Sequence, residues 1–416
     1  MESKQAEFVA ACEKGHVHTV RVLLTDNRVN PADNLNEAIR VASGNGHADV
    51  VSLLLADDRV NPADQNNTAI RVACENGHVD VVRLLLADNR VDPTVSNNHP
   101  MEWACGGGHI DVVKLLLADS RIDHSDSKPM SRACQKGHIR IVELLLADGR
   151  ADPAASNNYA IQEACQMGHV DVVRLLLTDR RVYPADQYNE AIVRACANGH
   201  ADVVSLLLAD DRVYPGDENN CAIRMACMWG HVDVVRLLLA DRRVDPADHR
   251  NRAIRWACEK GHVDVVRLLL ADPRVDPGDN NNEAIRRASE NGHVAVVDLL
   301  LTDPRINVQQ VVATCPRVIE MGQRVGSITA ILALAGIEPY RTKWDALNPN
   351  EYNLDELRLW QRASFWKLFN QGYDFRFGPY GVLLSRRLQI AELYRSPVLT
   401  SRLPIDMIEL VLGYLR

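Results

Sequence analysis

The stretch Gly77–Asp88, GHVDVVRLLLAD, decides the fold because the chain repeats it. It recurs unchanged at 230–241 and 261–272, and looser copies begin at seven other glycine–histidine pairs. The ten glycines of these pairs are Gly15, Gly46, Gly77, Gly108, Gly137, Gly168, Gly199, Gly230, Gly261 and Gly292. Eight of the nine intervals between them are 31 residues long, and such a fixed period predicts stacked copies of one structural unit. The single interval of 29 lacks two residues between Asp123 and Met130, a loss that a loop tolerates and a packed helix does not.

Each unit is predicted to be a helical hairpin with a short loop. In the last unit Asn282–Asn291, NEAIRRASEN, predicts a first helix, and Gly292 ends it because glycine tolerates positive φ. His293 then opens a second helix, whose apolar stripe is Val296, Val297, Leu300 and Leu301. Three units continue with Asp-x-Arg-Val-Asp-Pro and the others with variants of it, and an Asn-rich tip follows in most of them. This composition is typical of turns, since Pro fixes φ and Asn tolerates left-handed conformations. We call this loop the finger.

These units resemble ankyrin repeats. In the last unit Glu283–Ser289, EAIRRAS, stands where the family has TPLHLAA, Gly292–Val297 matches GHLEVV, and Arg305–Asn307 stands near ADVN. The resemblance covers ten repeats over residues 5–310. It implies an all-α, ankyrin-type helical-hairpin solenoid, in which neighbouring units bury each other's apolar faces.

Two departures from the family pattern concern the loop between hairpins. The Thr-Pro start of the first helix is mostly lost, with Pro kept only at Pro100 and Pro129. The unit is about two residues shorter than the usual 33 of the family. We therefore expect short finger loops in place of the family's β-hairpin fingers.

Repeated cysteines, histidines and charged pairs receive structural interpretations. Eight cysteines, from Cys12 to Cys258, stand three residues before the repeated glycine, and we expect buried free thiols in a tight helix contact. The histidines are expected to bond neighbouring backbone, because two candidate ligands per unit fall short of the four of structural zinc. Each finger also has an aspartate two residues before an arginine, a spacing that predicts exposed ion pairs along the stack.

Composition and motifs argue against several classes of function. The chain contains no nucleophile elbow, P-loop, zinc-protease motif or dinucleotide-binding turn, so we expect no enzyme, no cofactor and no metal. The repeats hold 34 basic and 45 acidic residues, a net charge of −11, which disfavours nucleic acid as a partner. No signal peptide and no apolar run of membrane-spanning length are evident, so an intracellular protein without a membrane partner is expected.

Residues that break the repetition are the candidates for partner binding. In ankyrin-like stacks the finger tips and the two residues before Gly-His line the concave face. Trp and Tyr stand out there because Trp, Tyr and Arg dominate interface energetics. The predicted partner-binding residues, centred on Trp229, are Tyr183, Tyr188, Tyr214, Arg224, Met228, Trp229 and Arg255. The alternative is that Trp229 merely packs on adjacent finger atoms.

The period stops after Asn307, and a different composition follows. We expect capping helices at 311–338 and a small helical C-terminal domain at 339–416. Its end, 403–416 (LPIDMIELVLGYLR), resembles the first helix of an F-box. That resemblance implies contact with the adaptor of a cullin-type ubiquitin ligase, and the candidate contact residues are Leu403, Pro404, Ile408 and Leu412.

Three functions remain open from the sequence. A non-catalytic scaffold that binds a partner protein on the concave face is the main prediction. A substrate adaptor that recruits a ubiquitin ligase is the alternative. A C-terminal domain with an activity of its own is the third.

Overall fold

The computed structural model of the protein describes residues 2–122 and 127–324, and within these ranges every regular element is an α-helix. The helices are α1 (Glu2–Glu13), α2 (Val17–Leu24), α3 (Asp33–Gly44), α4 (Ala48–Leu55), α5 (Asp64–Glu75), α6 (Val79–Ala87), α7 (Val95–Gly107), α8 (Ile110–Ala118), α9 (Lys128–Lys136), α10 (Ile139–Asp148), α11 (Ala155–Met167), α12 (Val170–Thr178), α13 (Asp186–Asn198), α14 (Ala201–Leu208), α15 (Asp217–Trp229), α16 (Val232–Ala240), α17 (Asp248–Lys260), α18 (Val263–Ala271), α19 (Asp279–Glu290), α20 (Val294–Leu301), α21 (Val308–Thr314) and α22 (Pro316–Arg324). Odd-numbered helices up to α19 are the first helices of the ten repeats, and even-numbered helices up to α20 are the second.

The chain forms two compact units. Among the described residues, the first comprises 2–122, 127–226 and 240–244, and the second comprises 227–239 and 245–324. In the first unit each first helix from α1 to α13 packs on the next first helix, and the second helices from α2 to α14 do the same. This side-by-side packing of hairpins is the predicted solenoid arrangement, and the absence of strands from the described ranges confirms the short finger loops.

The second unit carries the last hairpins and two further helices. There α17 packs on α19, and α18 packs on α20. Helices α21 and α22 both contact α19 and bury Val311, Cys315 and Val318. The predicted boundaries at 311 and 339 stay predictions, and the predicted C-terminal domain lies outside the described residues.

The glycine–histidine pair joins successive repeats. All ten glycines have φ between 71° and 81°, which confirms their predicted place at helix ends. A Cβ on Gly261 would lie 2.5 Å from Nδ1 of His293 in the next repeat, so the absence of a side chain is required for packing as well. Nε2 of His293 lies 2.8 Å from the Glu259 carbonyl. Because a carbonyl only accepts, that nitrogen carries the proton, as expected for a histidine that bonds backbone.

The repeated cysteines are buried and free, as predicted. All eight from Cys12 to Cys258 have at most traces of exposed surface. Burial raises the pKa of the Cys12 thiol to about 12, and it raises the pKa of Cys74 as well. These side chains therefore act as small apolar groups in the contact between first helices.

The repeated aspartate and arginine pair within one finger. In the seventh finger Arg212 donates to Asp210, with 2.6 Å between Nη2 and Oδ2. The same guanidinium also donates to the carbonyls of Val182 (3.0 Å) and Leu177 (3.1 Å) in the preceding repeat. The prediction of ion pairs is confirmed, and the structure adds that the nine arginines from Arg59 to Arg305 each join two repeats through backbone oxygens.

Candidate protein-interaction surface

The fingers end in an unusual backbone conformation. In eight repeats three consecutive residues before the first right-handed turn have φ between 47° and 63°. Left-handed backbone costs an L-residue about 1–2 kcal/mol, and asparagine is among the few that visit it routinely. The third residue is always asparagine, at Asn36, Asn67, Asn98, Asn158, Asn189, Asn220, Asn251 and Asn282.

This third asparagine is buried and holds the next finger. Asn158 Oδ1 accepts the backbone N–H of Tyr183 at 2.7 Å, and its Nδ2 donates to Asp186 at 2.9 Å. Asn189 does the same one repeat later, accepting from Tyr214 at 2.7 Å and donating to Asp217 at 2.6 Å. A ladder of asparagine side chains thus takes the place of strand pairing between fingers and fixes the backbone that carries the tyrosines.

Tyr183 and Tyr214 occupy a position where the side chain stabilises a turn in other fingers. In six repeats the residue at this position is aspartate or asparagine, and its side chain accepts a backbone N–H two residues later. Asp152 in the fifth finger, for example, accepts from Ala154 at 3.0 Å. A tyrosine cannot make this short-range bond. The sixth and seventh fingers therefore lack a local stabilising interaction where they carry an aromatic ring.

Tyr188 occupies the middle left-handed position, with φ 59°. Five other repeats have asparagine there, at Asn66, Asn97, Asn157, Asn219 and Asn281. The ring of Tyr188 is 68 % exposed, against 48 % for Tyr183 and 54 % for Tyr214. Burial gained on folding therefore does not offset the strain of a left-handed tyrosine. We call Tyr183, Tyr188 and Tyr214 the tyrosine tips.

Tyr159 and Met167 on α11 are exposed as well, and neither was singled out from the sequence. Arg194 lies over the Tyr159 ring, with 5.6 Å between its guanidinium carbon and the ring centroid. Arg194 also pairs with Glu163 and Glu190 at 2.9 Å each. A hydrogen bond with Glu163 raises the pKa of Tyr159 and fixes its hydroxyl. The only available signal was a tyrosine in the first turn of a first helix, where residue types vary from unit to unit.

Arg224 has a different environment from the tyrosine tips. Its side chain is buried, and Nη2 donates to the Glu218 carbonyl at 2.8 Å. The structure therefore places the tyrosine tips and Tyr159 on exposed parts of the first unit, and Arg224 beneath the surface. A role of Arg224 in partner contact stays a prediction.

The other three predicted residues belong to the second unit. Trp229 ends α15 and is 56 % exposed, while Met228 is half-buried and its carbonyl accepts from His262 at 3.0 Å. Arg255 is mostly buried, donates to the His249 carbonyl at 2.8 Å and pairs with Glu283. Trp229 is thus the exposed aromatic group of this set, and Arg255 is engaged within the protein.

The predicted ligase-adaptor residues, Leu403, Pro404, Ile408 and Leu412, lie outside the described residues. In the described ranges no group of three or more His, Cys, Asp and Glu side chains is arranged to hold a metal ion. None of the helices in those ranges combines the length and apolar character that a membrane span requires. The described residues offer exposed aromatic rings, carboxylates and hydrogen-bonding groups of the fingers for binding.

Comparison with known families agrees with the hairpin packing. A family model of ankyrin repeats, built on three copies, matches residues 58–127, 101–188, 182–250 and 244–310. The matched segments cover more than half of the chain. The chain belongs to the ankyrin-repeat family. A comparison with curated proteins gave no match.

Ankyrin repeats are generally protein–protein interaction modules, and their fold is typically a non-catalytic scaffold. In this ankyrin-repeat protein the individual features are the left-handed fingers, the asparagine ladder and the tyrosine tips. The first two recur in most described repeats, whereas the tyrosine tips occur only in the sixth and seventh fingers. A recurrent feature suits folding, and a local departure suits recognition.

Proposed function

We propose that this ankyrin-repeat protein is a non-catalytic scaffold that binds a partner protein through the tyrosine tips, with Trp229 as an anchor in the second unit. The observation that carries the proposal is the position of the tyrosines. Each is more than 45 % exposed and occupies a site where most of the chain's other repeats have a residue better suited to the local backbone. Residues kept at exposed, locally unfavourable positions fit a role in binding better than a role in folding.

A capture experiment with repeat-derived substitutions tests the proposal. The reverted variant carries Tyr183→Asp, Tyr188→Asn and Tyr214→Asp, so each tyrosine becomes a residue that the same position has in other repeats. Full-length protein and the reverted variant are used as baits in cell lysate, and retained proteins are identified by mass spectrometry. We expect the reverted variant to lose at least one protein that the natural chain retains.

Leu35 offers a matched control. It is 53 % exposed and occupies the middle left-handed position of the second repeat, with φ 60°. Leu35→Asn therefore makes the same kind of change as Tyr188→Asn in another finger. The proposal requires Leu35→Asn to retain the partners that the reverted variant loses, and identical partner sets for all three baits would contradict it.

Trp229 is tested separately because it belongs to the second unit. We expect Trp229→Ala to weaken partner capture while the unfolding midpoint stays unchanged, since more than half of the side chain is exposed. Loss of stability would instead indicate packing on neighbouring atoms. Unchanged partner capture by a stable Trp229→Ala variant would show that Trp229 does not bind the partner.

The adaptor function rests on the resemblance of 403–416 to the start of an F-box. A protein truncated before Leu403 serves as the comparison in the same capture experiment. Ubiquitin-ligase components retained only by the full chain would make the protein a degradation adaptor. Absence of ligase components from both baits would leave the scaffold function alone.

A further inference from the structure

The segment around the tyrosine tips is acidic. Residues 151–226 contain 11 acidic and 6 basic side chains. Three of the basic ones are already paired: Arg181 with Asp179 at 2.7 Å, Arg212 with Asp210 at 2.6 Å, and Arg194 with glutamates at 2.9 Å. Half of the positive charge of this segment is therefore neutralised by ion pairs with the segment's own carboxylates.

Carboxylates directly accompany the tyrosine tips. Asp186 and Asp217 follow Tyr183 and Tyr214 by three residues, and both accept hydrogen bonds from neutral asparagine amides. A neutral donor leaves the negative charge in place, and each carboxylate oxygen has a second lone pair for another donor. Glu218, next to Asp217, is exposed. The sixth and seventh fingers thus each present an aromatic ring together with negative charge.

This pairing of ring and carboxylate suits a guanidinium or ammonium group. A cation over a tyrosine ring is attracted by the ring's quadrupole, and a nearby carboxylate adds a charged acceptor. The protein already uses this contact internally, since Arg194 lies over Tyr159 and pairs with Glu163. An acidic or phosphorylated segment would meet repulsion at the same place.

We propose that the tyrosine tips recognise an arginine- or lysine-bearing segment of the partner protein. Basic side chains of that segment lie against the rings of Tyr183, Tyr188 and Tyr214, and Asp186, Asp217 and Glu218 accept their hydrogen bonds. The proposal rests on the proposed function, because it assigns a chemistry to the same surface.

Fluorescein-labelled hexa-arginine and hexa-glutamate peptides test this chemistry. Each is titrated into the full-length protein by fluorescence anisotropy at about 150 mM salt, where attraction between distant charges is screened. The chain carries a net charge of −8, so general attraction to hexa-arginine must be separated from binding at the tyrosine tips. The reverted variant achieves this separation because it is more negative by two charges than the natural chain.

General attraction predicts that the reverted variant binds hexa-arginine more tightly than the natural chain. Our proposal predicts the opposite, a loss of about tenfold or more, because three aromatic contacts disappear. The variant with Phe at all three positions keeps the rings and should bind within about threefold of the natural chain. Glu218→Gln introduces the residue type of Gln65 and Gln187 and should weaken hexa-arginine binding about threefold.

Two outcomes would overturn the proposal: equal or tighter binding of hexa-arginine by the reverted variant, or preference of the natural chain for hexa-glutamate. The capture experiment separates this proposal from the proposed function. Lost partner proteins with unchanged hexa-arginine binding would keep the interaction surface and reject the basic segment. Unchanged partner proteins with weakened hexa-arginine binding would keep the basic-peptide site and reject its role in capturing those partners.

Discussion

At the scale of single residues, the repeated glycine has two separable roles. Gly261 and Gly292 have nearly the same φ, 80° and 79°. A Cβ on Gly261 would meet the His293 ring, whereas a Cβ on Gly292 would have no heavy atom of the described residues within 4 Å. The two positions therefore share the conformational requirement and differ in the steric one.

We predict that Gly292→Ala lowers the free energy of unfolding by about 1–2 kcal/mol, the cost of left-handed alanine. Gly261→Ala should lower the free energy of unfolding by about 1–3 kcal/mol more than Gly292→Ala does, because its Cβ displaces the His293 ring. Urea unfolding followed by circular dichroism measures both. Equal losses would show that contact with the histidine ring does not matter.

The asparagine of the ladder allows a similar separation. Asn189→Gly keeps the left-handed backbone and removes the bonds to Tyr214 and Asp217, so we expect a loss of about 1–3 kcal/mol. Asn189→Ala should lower the free energy of unfolding by about 1 kcal/mol more than Asn189→Gly does, because positive φ is unfavourable for alanine. The same unfolding assay decides. An Asn189→Gly variant as stable as the natural protein would show that the asparagine ladder does not stabilise the fold.

At the scale of elements, the finger shows how much the sequence could predict. Helix ends and buried cysteines followed from the repeating pattern, because each depends on residue type at a fixed place in the unit. A backbone bond of the histidine was also predicted, but the sequence did not specify that its partner is a carbonyl of the preceding repeat. The ladder did not follow, although asparagine recurs in every left-handed tip. Its bonds join residues 25 and 28 positions apart, a distance set by how two repeats stack. The same reason explains why the carbonyl contacts of Arg212 were not predicted.

Of the candidate surface, the sequence predicted the exposed tyrosines and Trp229 from their departure from the repeat. It did not distinguish Arg224, which is buried, from an exposed arginine, because neighbouring side chains cover it. Tyr159 was missed because residue types vary at its position, so no repeat pattern was broken. Exposure depends on packing between repeats, which a single unit does not specify.

Acid should weaken the fingers, because arginine lowers the pKa of the paired aspartates. Hydrogen bonds from Arg212 lower the pKa of Asp210 below its ordinary value of 3.8. Burial raises the pKa of Glu283, but bonds from Asn280 and Arg287 and the charge of Arg255 outweigh it and bring the value to about 2. Since folding depresses these pKa values, the stabilisation is present above about pH 4.5 and is lost as the pH falls toward 2.

We therefore predict a fall in the urea midpoint between about pH 4.5 and pH 2. Arg212→Gln should lower stability at pH 7 by about 1–2 kcal/mol, through lost bonds to Asp210 and two carbonyls. The difference from the natural protein should narrow as the pH falls below 3.8 and through the lowered pKa of Asp210. A difference that stays constant from pH 7 to pH 2 would show that the ion pair contributes nothing.

At the scale of the whole molecule, the repeats divide into a shared framework and a few local departures. Glycine, histidine, cysteine and asparagine at fixed positions join each repeat to the next, and they recur along most of the described chain. The tyrosine tips interrupt this pattern in two consecutive fingers. A repeat stack tolerates such local changes because each repeat contacts only its neighbours.

If the tyrosine tips serve a partner at the expense of folding, the reverted variant should be more stable than the natural protein, and its urea unfolding midpoint measures this. Tyr183→Asp and Tyr214→Asp should restore the turn bond seen at Asp152, and Tyr188→Asn should relieve left-handed strain. We predict that the reverted variant is more stable than the natural protein by about 1–3 kcal/mol in urea at pH 7. A reverted variant less stable than the natural protein would show that the tyrosines contribute to folding and are not kept at its expense for a partner.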